Sequence, residues 1–145
     1  MAHSYTSSYP SSTPIDAGIK AYFEAFYKTS DTPDAHEEYA GFFTKDATLV
    51  MGLKVGKGYD EILNIRKGMW AQVASRLHSP LKVYPFGEGA EEVMLHGKVA
   101  YTLKDGRKAE VDWAARANFV KNESGEWKMS FYQVYLDSAA MANAK

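Results

Sequence analysis

Acid–base chemistry near neutral pH needs a histidine, or a carboxylate whose pKa burial has raised, pointed into a dry cavity. The second half of the chain carries four groups suited to it. His78 follows the third predicted helix, His96 sits in Val93-Met94-Leu95-His96, and Asp112 and Arg116 lie in Val111-Asp112-Trp113-Ala114-Ala115-Arg116. Side chains alternate along a strand, so Glu110, Asp112, Ala114, Arg116, Asn118 and Val120 share one face. Ala109, Val111, Trp113, Ala115, Ala117 and Phe119 share the other, a continuous apolar surface. If the polar set lines a cavity, Asp112, Arg116 and Asn118 form a reactive stripe. If it faces solvent, they are an ordinary wet face. The cavity assignment is the expectation taken forward, because Asp, Arg and Asn spaced by Ala with no Lys make an unusual solvent face; it requires Asp112 and Arg116 to be inaccessible.

Arg116 would either orient a substrate oxygen or neutralise Asp112. Met129, Phe131, Gln133 and Tyr135 share a face of the last strand by the same alternation. With Trp70, Tyr84 and Phe86 they compose an apolar cup with a few polar fixtures, the usual make-up of a small-molecule pocket. Tyr27 and Met51 complete the expected substrate-contacting set. Each residue also has a plainer role, the histidines as hydrogen-bonded structural groups and the aromatics as core. His36-Glu37-Glu38-Tyr39-Ala40 lacks the second His of a helical zinc motif and His3 lies in an N-terminal arm, so no metal is expected. Gly56-Lys57-Gly58 is followed by Glu61 where a dinucleotide fingerprint needs glycine, so no nucleotide is implied. Asn122-Glu123-Ser124 is a glycosylation sequon in form and reads as a turn.

These residues need a scaffold. A length of 145 residues is one domain, and 46% hydrophobic residues suffice for one core. The 17 basic residues against 18 acidic ones leave no field that favours nucleic acid or an anionic membrane. The absence of cysteine excludes disulfides, thiolate nucleophiles and Cys-based metal sites. No run is long enough to cross a bilayer and no signal-peptide core is present, so a soluble cytoplasmic protein is expected. Residues 1–12 read as a flexible arm, 13–138 as the domain and 139–145 as a tail. Thr13-Pro14-Ile15-Asp16 signals a helix start, and Ile15, Ile19, Tyr22, Phe23, Phe26 and Tyr27 form one apolar stripe. Asp31-Thr32-Pro33 stops that helix and caps a shorter one to about Phe43. Ala47 to Met51 and Leu53 to Val55 suit a short hairpin, and Tyr59 to Arg76 returns to helical period through Ile62, Ile65, Met69 and Val73. Then come Leu81–Phe86, Glu92–Leu103, Lys108–Lys121 and Trp127–Leu136 as an antiparallel meander, with Asp105-Gly106 as a hairpin turn. Strands of about 12 residues at about 3.3 Å each would run roughly 40 Å, against a radius of gyration near 15 Å, so the sheet must bend. A bent sheet with helices on its concave face encloses a cone.

This order of elements resembles the nuclear transport factor 2-like superfamily and, within it, the SnoaL-like branch. The resemblance is carried by Phe26-Tyr27 ending the first helix, by Tyr39 to Met51 with Asp46-Ala47-Thr48 leading into a strand, and by the terminal strand from Trp127-Lys128-Met129 to Tyr135. It implies a cone-shaped α+β barrel, three N-terminal helices on a strongly curved, mainly antiparallel mixed sheet. It also implies cofactor-free acid–base chemistry, or a binding or dimerisation module with the same cone. Asp112 with His96 resembles the acid–base pair of SnoaL-type cyclases, and His78 resembles a cavity histidine of scytalone dehydratase. The expectation is an isomerase, cyclase or dehydratase for a small apolar carbonyl compound. It would be a homodimer through the convex sheet face, the side that the cavity assignment leaves to Trp113 and the rest of the apolar set.

Overall fold

The structure is a computed structural model describing residues 3–145; Met1 and Ala2, part of the expected arm, lie outside the described residues. The first helix, α1 (Ala17–Ser30), begins later than Thr13-Pro14 suggests. Asp16 is the residue that caps it, its carboxylate accepting from the Gly18 amide at 2.7 Å and from the Trp127 indole at 3.2 Å. Its expected stripe is buried, from Ile19 to Tyr27. A single turn and a half, α2 (His36–Ala40), follows, then β1 (Phe43–Met51) and β2 (Lys54–Lys57), which pair as the expected hairpin.

α3 (Gly58–Met69) is shorter than its periodicity predicts. Val73 fits both a helical stripe and a strand, and pairing with Leu103 decides for the strand. β3 (Val73–Pro85) therefore starts eight residues before Leu81 and carries His78 in its middle. β4 (Glu92–Leu103), β5 (Lys108–Lys121) and β6 (Trp127–Leu136) have their expected bounds. The six strands form one open sheet in the order β2-β1-β6-β5-β4-β3, antiparallel except for the β1–β6 pair. Three helices packed on this mixed sheet make the cone-shaped α+β fold, and the core lies between α1 and the concave face. No helix among the described residues is long and apolar enough to cross a membrane.

Bulges bend the long strands. Register slips between Val73 and Ser75 and between Pro80 and Lys82 on β3, and at Ser130 between Met129 and Phe131 on β6. Each extra residue sharpens the local twist and reverses which side chains point inward beyond it. Gly97 marks the tightest crossing, because a Cβ there would collide with the Ser79 carbonyl oxygen and sit 2.8 Å from the Pro80 Cα. Gly97→Ala is therefore expected to cost about 1–3 kcal/mol through overpacking, read as a lower urea midpoint at unchanged slope.

Candidate active site

The polar face of β5 is the outer one. Asp112 has a side chain 83% exposed, with Lys98 Nζ at 3.4 Å, and Glu110 shares the same lysine at 3.6 Å. Val111, Trp113, Ala115, Ala117 and Phe119 are buried against the helices. The cavity assignment of Asp112, Arg116 and Asn118 is thus reversed, for a simple reason. The continuous apolar set gains most by leaving water, whereas Asp112 and Arg116 turned inward would be desolvated charges.

His96 moves with them, since it pairs with Ala114 on the outer face, where its ring tilts against Tyr84 at 5.8 Å. Arg116 lies over the Phe131 ring at 4.4 Å, and Asn118 donates to Glu92 at 3.0 Å. The bulge at Ser130 divides the set expected on β6: Met129 and Tyr132 are buried, while Phe131, Gln133 and Tyr135 face outward. Tyr84 and Phe86 are exposed. Trp70 is buried, but it packs between the Arg66 and Arg76 guanidiniums, at 5.3 and 5.0 Å from its ring, and does not line the cavity. Of the expected residues, His78, Tyr27 and Met51 do line it.

That cavity, of about 380 Å³, opens between α1, α3 and the concave sheet. Its walls are aromatic, with Phe26 and Tyr27 from α1, Tyr101 from β4, Trp113 from β5 and Tyr132 from β6. His78 enters from β3 between the Tyr27 and Trp113 rings, 5.1 and 5.7 Å away. Its Nδ1 meets Asp31 Oδ1 at 2.6 Å, and its backbone N–H donates to Asp31 Oδ2 at 2.7 Å. The side chains of His78 and Asp31 are 14% and 5% exposed. With Nδ1–H given to the carboxylate, Nε2 carries the free lone pair. Burial lowers the His78 pKa below its usual 6.5; Asp31 works against this, while Arg76 and Arg66 assist it. The ring is neutral at pH 7 and able to accept a proton.

Two donors near this base are unpaired among the described residues. Arg76 is 6% exposed, lines the cavity and gives one Nη2 bond to the Met69 carbonyl at 3.1 Å, while its Nη1 has no partner. The Trp113 Nε1 is likewise buried without a partner. Across the cavity the Tyr27 and Tyr132 hydroxyls bond each other at 2.7 Å, and burial raises both pKa values well above the ordinary tyrosine range. Among the described residues, no cluster of three or more His, Cys, Asp or Glu is placed to hold a metal ion.

Arg66 sets the position of Asp31. At 0% exposure it sends Nη1 to the Ser30 carbonyl at 2.6 Å, Nη2 to those of Thr29 and Thr32, and Nε to His36 Nδ1 at 3.2 Å. Burial pulls its pKa down to about 10, so it stays cationic at neutral pH. In the sequence Asp31 reads as a helix stop, and no local spacing marks Arg66 or Arg76 as site residues. One signal for Asp31 was present: an acid at the C-terminal end of a helix opposes the macrodipole and calls for another reason to be there.

A curved sheet over an enclosed histidine–carboxylate dyad defines a cone-type α+β protein with a histidine in its cavity wall. No family model matches the sequence, and no curated protein matches it. Solved structures do match in fold. Nuclear transport factor 2 from Cryptosporidium parvum superposes with a TM-score of 0.67 at 15% identity, over 81% of this chain and 90% of its own. The hexachlorocyclohexane dehydrochlorinase LinA type 2 gives 0.69 at 17%, over 83% and 84%. ActVI-ORFA from Streptomyces coelicolor gives 0.69 at 16%, over 83% and 96%. The chain has the nuclear transport factor 2-like fold expected from its sequence.

The two arginine-to-carbonyl and carboxylate-to-lysine environments differ sharply in what they contribute. Arg66→Met should cost about 3 kcal/mol by leaving buried carbonyls unpaired, whereas Asp112→Asn should stay within about 0.5 kcal/mol; thermal melts of both variants check this contrast.

Proposed function

We propose that the protein is a cofactor-independent acid–base enzyme, an isomerase, cyclase or dehydratase, acting on a small apolar carbonyl compound held in the cone. The observation that carries this reading is the Asp31–His78 dyad, with its neutral imidazole set in an aromatic wall. His78 Nε2 takes a proton from the carbon beside the substrate carbonyl. The C–H electron pair moves into the new C=C bond and the carbonyl pair moves onto oxygen, or a β-substituent leaves with its own pair. Asp31 holds the tautomer and shares the charge of the imidazolium. Arg76, which lines the cavity, supplies positive charge that steadies the developing oxyanion. A dehydrochlorinase among the fold neighbours is in keeping with proton removal in such a cone.

The homodimer is also a proposal, on a changed basis. Trp113 is inside, so the apolar set no longer supports it. Tyr84, Phe86, Met94 and Tyr135 remain exposed and offer an outer patch instead. Sedimentation equilibrium at micromolar concentration is expected to give the mass of two chains, and a monomer overturns this.

Nitrobenzisoxazole tests the base without knowledge of the natural substrate, because removal of one C–H proton breaks its N–O bond and releases a coloured cyanophenolate. Turnover by the wild type is expected to be flat above pH 6.5 and to fall on an acid limb below it, where His78 becomes protonated. His78→Ala and Asp31→Asn should each lose about 10²-fold or more in kcat with folding retained. Equal rates in all three proteins would leave the cone as a binding module.

A further inference from the structure

The arm that the sequence presents as flexible lies along β3, the edge strand of the sheet, and reaches the dyad. The Ser8 N–H donates to the Leu81 carbonyl at 2.8 Å and the Ser8 carbonyl accepts from Val83 N–H at 3.1 Å, a parallel bridge seated at the second β3 bulge. Ser7 is buried beside it, and Thr6 donates to Glu24 of α1 at 3.0 Å. These anchors place Tyr5 so that its hydroxyl donates to Asp31 Oδ2 at 2.9 Å, while His3 Nε2 lies 2.6 Å from the His78 carbonyl oxygen. Neither Tyr5 nor Asp31 lines the cavity, so the arm contacts the dyad from behind.

We infer that the N-terminal arm is a working part of this site and that Tyr5 is its positioning residue, holding the Asp31 carboxylate against His78 and closing the dyad to water on the side away from the cavity. The reason is one of counting. Among the described residues Asp31 has no carboxylate-binding side chain other than His78 and Tyr5, and both of its oxygens are engaged: Oδ1 by the imidazole, Oδ2 by the His78 amide and the Tyr5 hydroxyl. A carboxylate this enclosed keeps one orientation only while its donors stay in place. The burial of the dyad, which keeps His78 uncharged, is completed by a short run from Tyr5 to Ser8 that belongs to no helix or long strand. Conservation of the tyrosine ring without its hydroxyl would keep the packing and lose the hydrogen bond.

The charged and titratable groups around His78 define the sign of the expected change. Asp31 and Tyr27 face it from α1, Arg66 from α3 and Arg76 from β3, with Tyr5 and His3 from the arm. Without the Tyr5 hydroxyl, more of the carboxylate charge is felt by His78 and water reaches the pair, and both effects favour the imidazolium. The His78 amide still holds Oδ2, so Asp31 stays within reach of the ring but loses its single fixed orientation. The kinetic part of this inference rests on the acid–base reading of the cavity; the geometric part does not.

The experiment uses the full chain and two variants, Tyr5→Phe and Ser8→Pro, the second of which removes the N–H that pins the arm to Leu81 and leaves the tyrosine intact. An NMR titration of the His78 ring is the first readout, and the acid limb and kcat of nitrobenzisoxazole turnover are the second. In both variants the His78 pKa is expected to rise by about 0.5 or more, the acid limb to move with it, and kcat to fall about tenfold with KM nearly unchanged. A titration that stays at the wild-type position in the folded variants, whatever happens to the melting temperature, overturns the inference and reduces the arm to packing. Should one variant fail to fold, the other decides. A wild type that does not turn over the probe refutes the enzyme reading alone, since the titration still tests Tyr5.

Discussion

The structure depends on a positive charge buried where a helix ends. The last carbonyls of α1 run short of intrahelical donors, and the exposed turn at Thr32, Pro33 and Asp34 that follows supplies few of them. Arg66, reaching across from α3, supplies donors to the carbonyls of Ser30, Thr29 and Thr32 and sets a cation at the negative end of the helix dipole. Tyr39 and Trp70 cover its guanidinium from either side, at 5.0 and 5.3 Å. This one side chain thereby joins α1, α2 and α3 at a single point, and it holds the backbone from which Asp31 projects. Without it the carboxylate would have no fixed place from which to meet β3.

The electrostatics of the cavity follow from that arrangement. Two buried arginines and one buried carboxylate surround a histidine that burial keeps neutral. The excess of positive potential opposes protonation of His78 and makes the cavity a place that favours negative charge. Asp31 works against the first effect. Aromatic walls add few competing dipoles and exclude water, which strengthens each of these interactions. The arm matters in the same terms, because it completes the enclosure from outside the cone.

Much of this was legible from sequence for a physical reason. Helical stripes and strand alternation are local properties, so α1 and the spans of β4, β5 and β6 follow from residue spacing alone, and the need for a bent sheet follows from strand length against molecular size. The two sets of β5 side chains were likewise separable, since a period of two is carried by the chain itself. Which set faces inward was not, because that is decided by where the helices lie. Val73 shows the same limit at an element boundary, where two periodicities coincide and a partner strand makes the choice.

The sequence by itself determined the fold class, the four-strand meander, the lack of any cysteine chemistry and the presence of a histidine between the third helix and the meander. Only the tertiary structure decided that His78 is the histidine inside, that Asp31 is its partner across 47 residues of chain, and that Asp112, Arg116 and His96 belong to the outer face. Pairings of that separation depend on loop closure and helix docking, and a one-residue bulge such as that at Ser130 inverts every inference from alternation beyond it. Local spacing records what each segment prefers; the contact between a helix end, a bulged edge strand and a returning N-terminal arm exists only once all three are packed together.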